Sequence, residues 1–466
     1  KEVAIVNERL SDLPGIDVKM DSQRKYVYGD TFKQLFGKIS SIPAESADLY
    51  KALGYSLDDQ VGKSFLELQY ENLLKGTKEV QTTTTNRSGQ ITDSAITTTG
   101  QTGKDVVLTI DMELQQKVDQ IVEEEFAKEP SAKGAYVVMM NPKTGEILAI
   151  SGKKRDGSKI EDNTYGALYN AYAMGSTVKG ATVLTGYETG VISPGDVLVD
   201  TPITIGGLTK KSWTTMGAIN DLKALERSSN VYMFRIAMKI GKYDLNSKSG
   251  FKDPDTAYAT MRYYFSQFGL GVKTGIDLPN EATGYNGGVQ KLGNLMDFAI
   301  GQFDTYTTLQ LVQYVSTIAN DGYRVQPHLL KEVREPDHTS EELGEVINTF
   351  ETKVLNRVDM SLENIQRVQL GFRQVMSGSQ GTAASYFKGA SYNPAGKTGT
   401  AEIGSNYNLT LVEYAPYEDP EIAAAIVIDN INTSGSGINK KIGRRILDTY
   451  FERGSSTSTD TDTETE

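Results

Sequence analysis

The strongest constraint on the fold is that the strand-forming runs fall into two groups far apart in the chain. Val106 to Ile110, Ala135 to Met140 and Glu146 to Ser151 make the first; Gly396 to Ile403, Leu409 to Ala415 and Ile422 to Ile428 make the second. Apolar and β-branched residues dominate these runs. The turn Asn141-Pro142-Lys143-Thr144-Gly145 predicts a β-hairpin in the first group, and the second has the spacing of a three-strand meander. A helix from Glu113 to Lys128, capped by Asp111, follows the first strand. Another, from Lys440 to Phe451, closes the meander. The middle, from about Tyr172 to Asn320, is mainly helical. Within it, Thr307-Thr308-Leu309-Gln310 reads as a capping box opening a helix to Ala319. The economical solution is α+β: both strand groups share one antiparallel sheet, flanked by helices, with the helical stretch inserted.

The flanks have a different character. Residues 1–104 are polar and mixed, with a turn into a strand at Leu13-Pro14-Gly15-Ile16 and short helical patterns at Thr31 to Lys38 and Ser64 to Gly76. Gln81 to Gly103, rich in Thr, Ser and Gly, is either a flexible linker or an exposed pair of Thr-rich strands. Ser455 to Glu466 is too polar to bury surface and is expected to be disordered. The expected division is therefore 1–104, 105–453 and 454–466. No run approaches the ~18 apolar residues of a transmembrane helix. The chain starts at Lys1 with a structured pattern, which reads as a fragment lacking its natural N-terminus.

Composition narrows the chemistry. The 466 residues include no Cys and two His, His328 and His338, and carry a net charge of −12. Thiolate nucleophiles, Cys-ligated metals and redox pairs are excluded, and a His-based triad or metal site has almost nothing to be built from. No metal and no cofactor is expected. An acidic chain without a basic run is also a poor nucleic-acid binder. Acid–base work must run on Lys, Asp, Glu, Tyr or hydroxyls.

A Ser with a Lys three residues later on a helix meets that requirement, because the amine can reach the hydroxyl and act as its base once desolvated. Five such pairs exist: Ser22/Lys25, Ser151/Lys154, Ser176/Lys179, Ser249/Lys252 and Ser385/Lys388. Lys-Thr-Gly occurs three times, at Lys143, Lys273 and Lys397. Order and context select among them. Ser176 follows Gly175 at the start of an apolar helical segment, where free N–H groups favour an oxyanion. Ser228-Ser229-Asn230 offers a hydroxyl and an amide two residues apart. Gly396-Lys397-Thr398-Gly399-Thr400 opens a strand whose small residues admit a substrate backbone, while Lys397 and the two Thr hydroxyls suit a carboxylate. Lys143 and Lys273 read as turn and loop.

The ordered set Ser-x-x-Lys, Ser-x-Asn, Lys-Thr-Gly-Thr resembles the penicillin-binding protein and serine β-lactamase superfamily. Ser176 to Ser228 spans 52 residues and Ser228 to Lys397 spans 169, and with the large N-terminal region these intervals resemble the class B penicillin-binding proteins. Arg24, Tyr28-Gly29, Ser229 to Met233, Gly269 through Pro279, Gly301-Gln302-Phe303-Asp304 and Ile318 to Gly322 extend the likeness over nearly the whole chain. It implies a transpeptidase fold on an N-terminal pedestal, or dimerisation-like, domain, truncated here. The implied reaction is D,D-transpeptidation of peptidoglycan stem peptides through an acyl-enzyme on Ser176, with β-lactams as covalent inhibitors.

The resemblance also implies roles. Lys179 is the base, Ser228 relays a proton to the leaving D-alanine, and Lys397 tunes the cluster. Asn230 binds the donor side-chain amide, and Thr398, Gly399 and Thr400 line the carboxylate site. The backbone N–H groups of Ser176 and Thr400 form the oxyanion hole. Trp213 either walls the groove or packs in the core; Tyr232 and Phe303 are expected in the core. The implied setting is the outer face of the cell membrane, reached through a single transmembrane helix absent from this chain, with a cell-wall glycosyltransferase as partner. A D,D-carboxypeptidase or β-lactamase, or a non-catalytic sensor or scaffold, is the alternative on the same machinery. The family often has Pro where this chain has Met174, so the turn before Ser176 is expected to be looser.

Overall fold

The computed structural model describes residues 24–87, 91–205, 207–243, 250–290, 293–337 and 343–457. The turn at Leu13 to Ile16 and most of the acidic tail lie outside them. The pedestal is built of short pieces: the helices Lys33–Phe36, Phe65–Gln69 and Glu71–Leu74, and the paired strands Ile39–Ser41 and Gln60–Gly62. The Thr-rich segment is a strand pair, Val80–Thr85 against Ile91–Thr98. Small domains bury too little surface to stand alone, and this one shares the large domain's core. Phe32, Leu35, Leu66 and Tyr70 belong to the same buried cluster as Tyr136 and Leu168. Tyr70 donates to Asp277, and Gln34 Nε2 bonds the Asp162 carbonyl at 2.8 Å.

The large domain begins with β1 (Asp105–Leu108) and α1 (Met112–Ala127). Asp111 caps α1, accepting from Leu114 N at 3.0 Å, and the helix buries Leu114, Val118, Ile121, Val122 and Phe126 along one face. Then come β2 (Gly134–Met140), β3 (Ile147–Asp156) and β4 (Lys159–Asp162). The helical middle contributes α2 (Lys179–Glu188), α3 (Asn230–Ile240) and α4 (Thr308–Ala319), followed by β5 (Leu330–Arg334) and α5 (Leu362–Ser377). The chain closes with β6 (Ala395–Ile403), β7 (Asn406–Ala415), β8 (Ile422–Ile431) and α6 (Ile438–Thr457).

The sheet runs β6-β7-β8-β2-β3-β4, antiparallel throughout, so the two distant strand groups meet at β8 and β2. Alternation along the strands divides the core. Tyr136, Val138, Met140, Ala423, Ala425 and Val427 face the helical middle; Ala135, Val137, Met139, Ala424, Ile426 and Ile428 face the side covered by α1 and α6. Every residue of α4 is buried, and its N-terminus carries the expected capping box, Thr307 with Gln310.

Four expectations need correction. The first strand is outside the main sheet: β1 pairs with β5 in a separate three-stranded sheet. Its side chains are only half-buried, whereas every residue of β2 is buried, so β1 lacks the apolar load of a central strand. The hairpin's second strand runs on to Asp156 and turns into β4. The helical middle also holds small strand pairs, among them Leu198–Asp200 with Gly217–Ile219 and Ile203–Ile205 with Leu208–Lys210, and Tyr306–Thr307 pairs with Ala171–Tyr172. The last helix extends past both expected ends, to Thr457.

Candidate active site

Ser176 sits in a 3-10 turn, Gly175–Val178, that leads directly into α2. The turn is fixed from three sides. Gly175 has φ +57° and donates to the Gly301 carbonyl at 2.9 Å. A Cβ on Gly175 would lie 2.4 Å from the Thr400 carbonyl, one on Gly301 2.3 Å from the Gly175 carbonyl, and one on Gly399 2.5 Å from the Met174 carbonyl. Main chains therefore touch where side chains would collide. The Met174 carbonyl accepts from Thr410 Oγ1 at 2.6 Å and Thr177 Oγ1 at 2.9 Å, while the Met174 side chain is fully buried. Hydrogen bonds and close main-chain contacts hold this turn at the position where the family often has a proline ring.

Lys179, the first residue of α2, is wholly buried. Its Nζ donates to the Ser228 carbonyl at 2.9 Å, Ser228 Oγ at 3.2 Å and Asn230 Oδ1 at 2.7 Å. Lys397 on β6 is equally buried, and its Nζ donates to Ser228 Oγ and the Thr398 carbonyl, both at 2.9 Å. Register explains its direction: Lys397 pairs with Val412, whose side chain faces the helical middle. Burial pushes Lys397 down from 10.5 to about 7. Burial, with Lys397 beside it, also holds Lys179 well below the usual lysine range, and Asp200 pulls it partly back.

Ser228 occupies the left-handed region, φ +58°, between the helix Asp221–Glu226 and α3. Such a backbone is costly for a residue with a Cβ. Here it turns both the carbonyl and the hydroxyl toward Lys179. The helix cap is the neighbouring Ser229, which accepts from Tyr232 N at 3.0 Å. Four of the sequence candidates, Lys179, Ser228, Asn230 and Lys397, thus form one hydrogen-bonded cluster, one helical turn from Ser176.

The β6 strand is at the sheet edge, with only β7 beside it. Thr400 is exposed and Thr398 half-buried. Thr398 Oγ1 lies 2.6 Å from Thr382 Oγ1, on a loop docked by the bond from Gln380 N to Glu226 at 3.0 Å. Thr382 was not expected at the site. The only hint in the sequence is the Gly- and Ser-rich run that follows the α5 pattern. Trp213 is 70% exposed and donates through Nε1 to the Arg227 carbonyl at 2.9 Å, which removes the core reading and sets the ring beside Ser228. Tyr232 is in the core; Phe303 is half-buried against it.

The competing pairs separate cleanly. Ser151 and Lys154 lie on strand β3, where positions three apart face opposite ways, and Lys154 pairs with Glu161. Ser385 and Lys388 are exposed in turns. Ser22 and Ser249 lie outside the described residues, as does His338. Lys143 is an exposed partner of Asp419, Lys273 is exposed in a loop, and His328 is stacked on Phe350. Among the described residues no His, Cys, Asp and Glu cluster suits a metal ion.

Comparison with known proteins matches residues 135–448 to the penicillin binding protein transpeptidase domain and 1–108 to the penicillin-binding protein dimerisation domain. Penicillin-binding protein 2A of Bacillus subtilis is 47% identical over 97% of this chain and 67% of its own length. The solved structure of penicillin-binding protein 2B of Streptococcus pneumoniae strain 5204 superposes with a TM-score of 0.88 at 34% identity, covering 97% of this chain and 77% of that one. A more distant relative, the peptidoglycan D,D-transpeptidase MrdA of Escherichia coli, is 26% identical over 93% of this chain and 72% of its own length. The chain spans about two thirds of the length of these curated relatives.

Proposed function

The chain belongs to the class B penicillin-binding proteins, and we infer that it is a serine D,D-transpeptidase cross-linking peptidoglycan stem peptides. The observation that carries the residue assignment is the cluster of two buried amines on one hydroxyl, Lys179 and Lys397 on Ser228, a single turn from Ser176.

Ser176 Oγ attacks the carbonyl between the two terminal D-alanines, and Lys179 takes its proton. The three acceptors around Lys179 use every N–H of an ammonium. Its burial and the nearby Lys397 favour loss of one proton, which frees the lone pair the base needs. Backbone N–H groups of Ser176 and Thr400 receive the oxyanion. Collapse breaks the amide bond, and Ser228, between the two amines, passes a proton to the departing D-alanine nitrogen. An amine of a second stem peptide then attacks the ester and restores Ser176. Asn230 takes the donor's side-chain amide, Thr398, Gly399 and Thr400 its carboxylate, and Trp213 the rim. In a β-lactam the same attack opens the ring, the leaving nitrogen stays tethered, and the ester persists.

Residues 1–104 serve as the pedestal and 105–453 as the catalytic unit. The enzyme works on the outer face of the cell membrane beside a glycosyltransferase that makes the glycan strands, held there by a single-pass anchor. Among the described residues no helix is long and apolar enough to cross a membrane. The test is intact mass after exposure to a labelled penicillin, with the labelled peptide mapped. The adduct is expected on the peptide carrying Ser176, and Ser176→Ala should fold and take no label. A label on a peptide carrying Ser151 or Ser385 instead would refute the assignment.

A further inference from the structure

Asp200 ends the short strand Leu198–Asp200 and is 1% exposed. Its Oδ2 accepts from Ser212 Oγ at 2.7 Å and Ser229 Oγ at 2.5 Å. Its Oδ1 is buried and has no hydrogen-bond partner among the described residues. A buried carboxylate is costly unless it is hydrogen-bonded, and two serine hydroxyls supply the bonds here.

Two observations show where its influence goes. The two serines spend their hydroxyl protons on Asp200 and offer their lone pairs to the start of α3. Ser212 Oγ accepts from Asn230 N at 2.9 Å and Val231 N at 3.1 Å, and Ser229 Oγ from Tyr232 N at 3.0 Å. One carboxylate thereby fixes three successive N–H groups, including that of the residue whose amide touches Lys179. Second, the charged groups felt by Lys179 are few: Lys397 from β6, which disfavours its ammonium, and Asp200, which favours it. From the Ser228 segment and α3 only neutral Ser228 and Asn230 touch it. Arg235 of α3 approaches the Asp200 strand but donates to the Val199 carbonyl.

We propose that Asp200 is a positioning residue of acylation: through Ser212 and Ser229 it fixes the first N–H groups of α3 and so holds the Asn230 amide against Lys179. The proposal rests on Lys179 being the base for Ser176.

The experiment measures the second-order acylation constant of Ser176 by a labelled penicillin in a double-mutant cycle. Asp200→Ala removes the acceptor of both serines, and Ser212→Ala removes the link to Asn230 N. Each should lower acylation severalfold in the wild-type background and cost nothing further in an Asn230→Ala background, because the relay then has nothing left to hold. Losses that add fully in the Asn230→Ala background, or no loss in either single variant, overturn the proposal. If Asp200→Ala does not fold, Ser212→Ala carries the same expectation. A wild-type chain that takes no label would instead overturn the acylation reading, whereas a labelled wild type with additive variants sinks only the role of Asp200.

Discussion

Replacing Lys397 by Met should make the protein more stable and less active together. In the fold the amine titrates at about 7 instead of 10.5. Keeping it protonated at pH 6 therefore costs about 5 kcal/mol relative to the unfolded chain. Met fills a similar volume without that cost. It forfeits the bonds to Ser228 Oγ and the Thr398 carbonyl, each worth about 1 kcal/mol. The expected gain at pH 6 is about 3 kcal/mol. The sign of its pH dependence follows from the lowered folded value: above pH 7 the unfolded chain binds more protons than the native one, so the wild type recovers stability as pH rises. The gain of Lys397→Met should shrink to nothing near about pH 9. Urea unfolding at pH 6 and 9 measures it. Acylation by a labelled penicillin should meanwhile fall on the order of 10- to 150-fold, the equivalent of one lost charge-assisted contact. Lys143→Met and Lys273→Met, at exposed positions, should stay within about twofold. A variant destabilised equally at both pH values would show that Lys397 is not strained by burial, and one that acylates at the wild-type rate would show that it is not part of the machinery.

Thr410→Val removes one of the two hydroxyl bonds to the Met174 carbonyl while conserving shape; stability should fall by about 1 kcal/mol and the acylation constant severalfold, with the label still on Ser176, as read by thermal melts and labelling kinetics. Glu413, wholly buried on β7 facing α6 and without a hydrogen-bond partner among the described residues, is pushed well above the usual carboxylate range by burial, with Asp448 adding to it. Its folded value exceeds its unfolded one, so it costs stability increasingly as pH rises past the ordinary range. Glu413→Gln should therefore match the wild type near pH 4 and exceed it by a widening margin up to pH 8, measured by urea unfolding.

What was legible in the sequence was what local pattern encodes. The capping box at Thr307, the cap at Asp111 and the meander from Ala395 to Ile431 follow from spacing alone. Ser176, Lys179, Ser228 and Lys397 stood out because three motifs in one order are rarer than any one of them. The misses share a different cause. That β1 joins β5 is decided by a partner over 200 residues away. Asp200 lies in Val199-Asp200-Thr201-Pro202, which carries no motif, and its importance comes from Ser212 and Ser229 folding onto it. Ser228 resembles a helix cap by composition, but its positive φ hands that task to Ser229.

Beside Ser176 three stretches of main chain come into close contact at Gly175, Gly301 and Gly399, with the Thr410 hydroxyl also against Gly399. A contact of this kind has no dial. Any residue with a Cβ at these three points pushes a backbone away and takes Ser176 with it, for the natural substrate and for an antibiotic alike. Under drug selection, discrimination between the two is expected to enter one ring further out, at the Thr382 hydroxyl or at the open rim around Trp213, where a side chain can change without parting the layers.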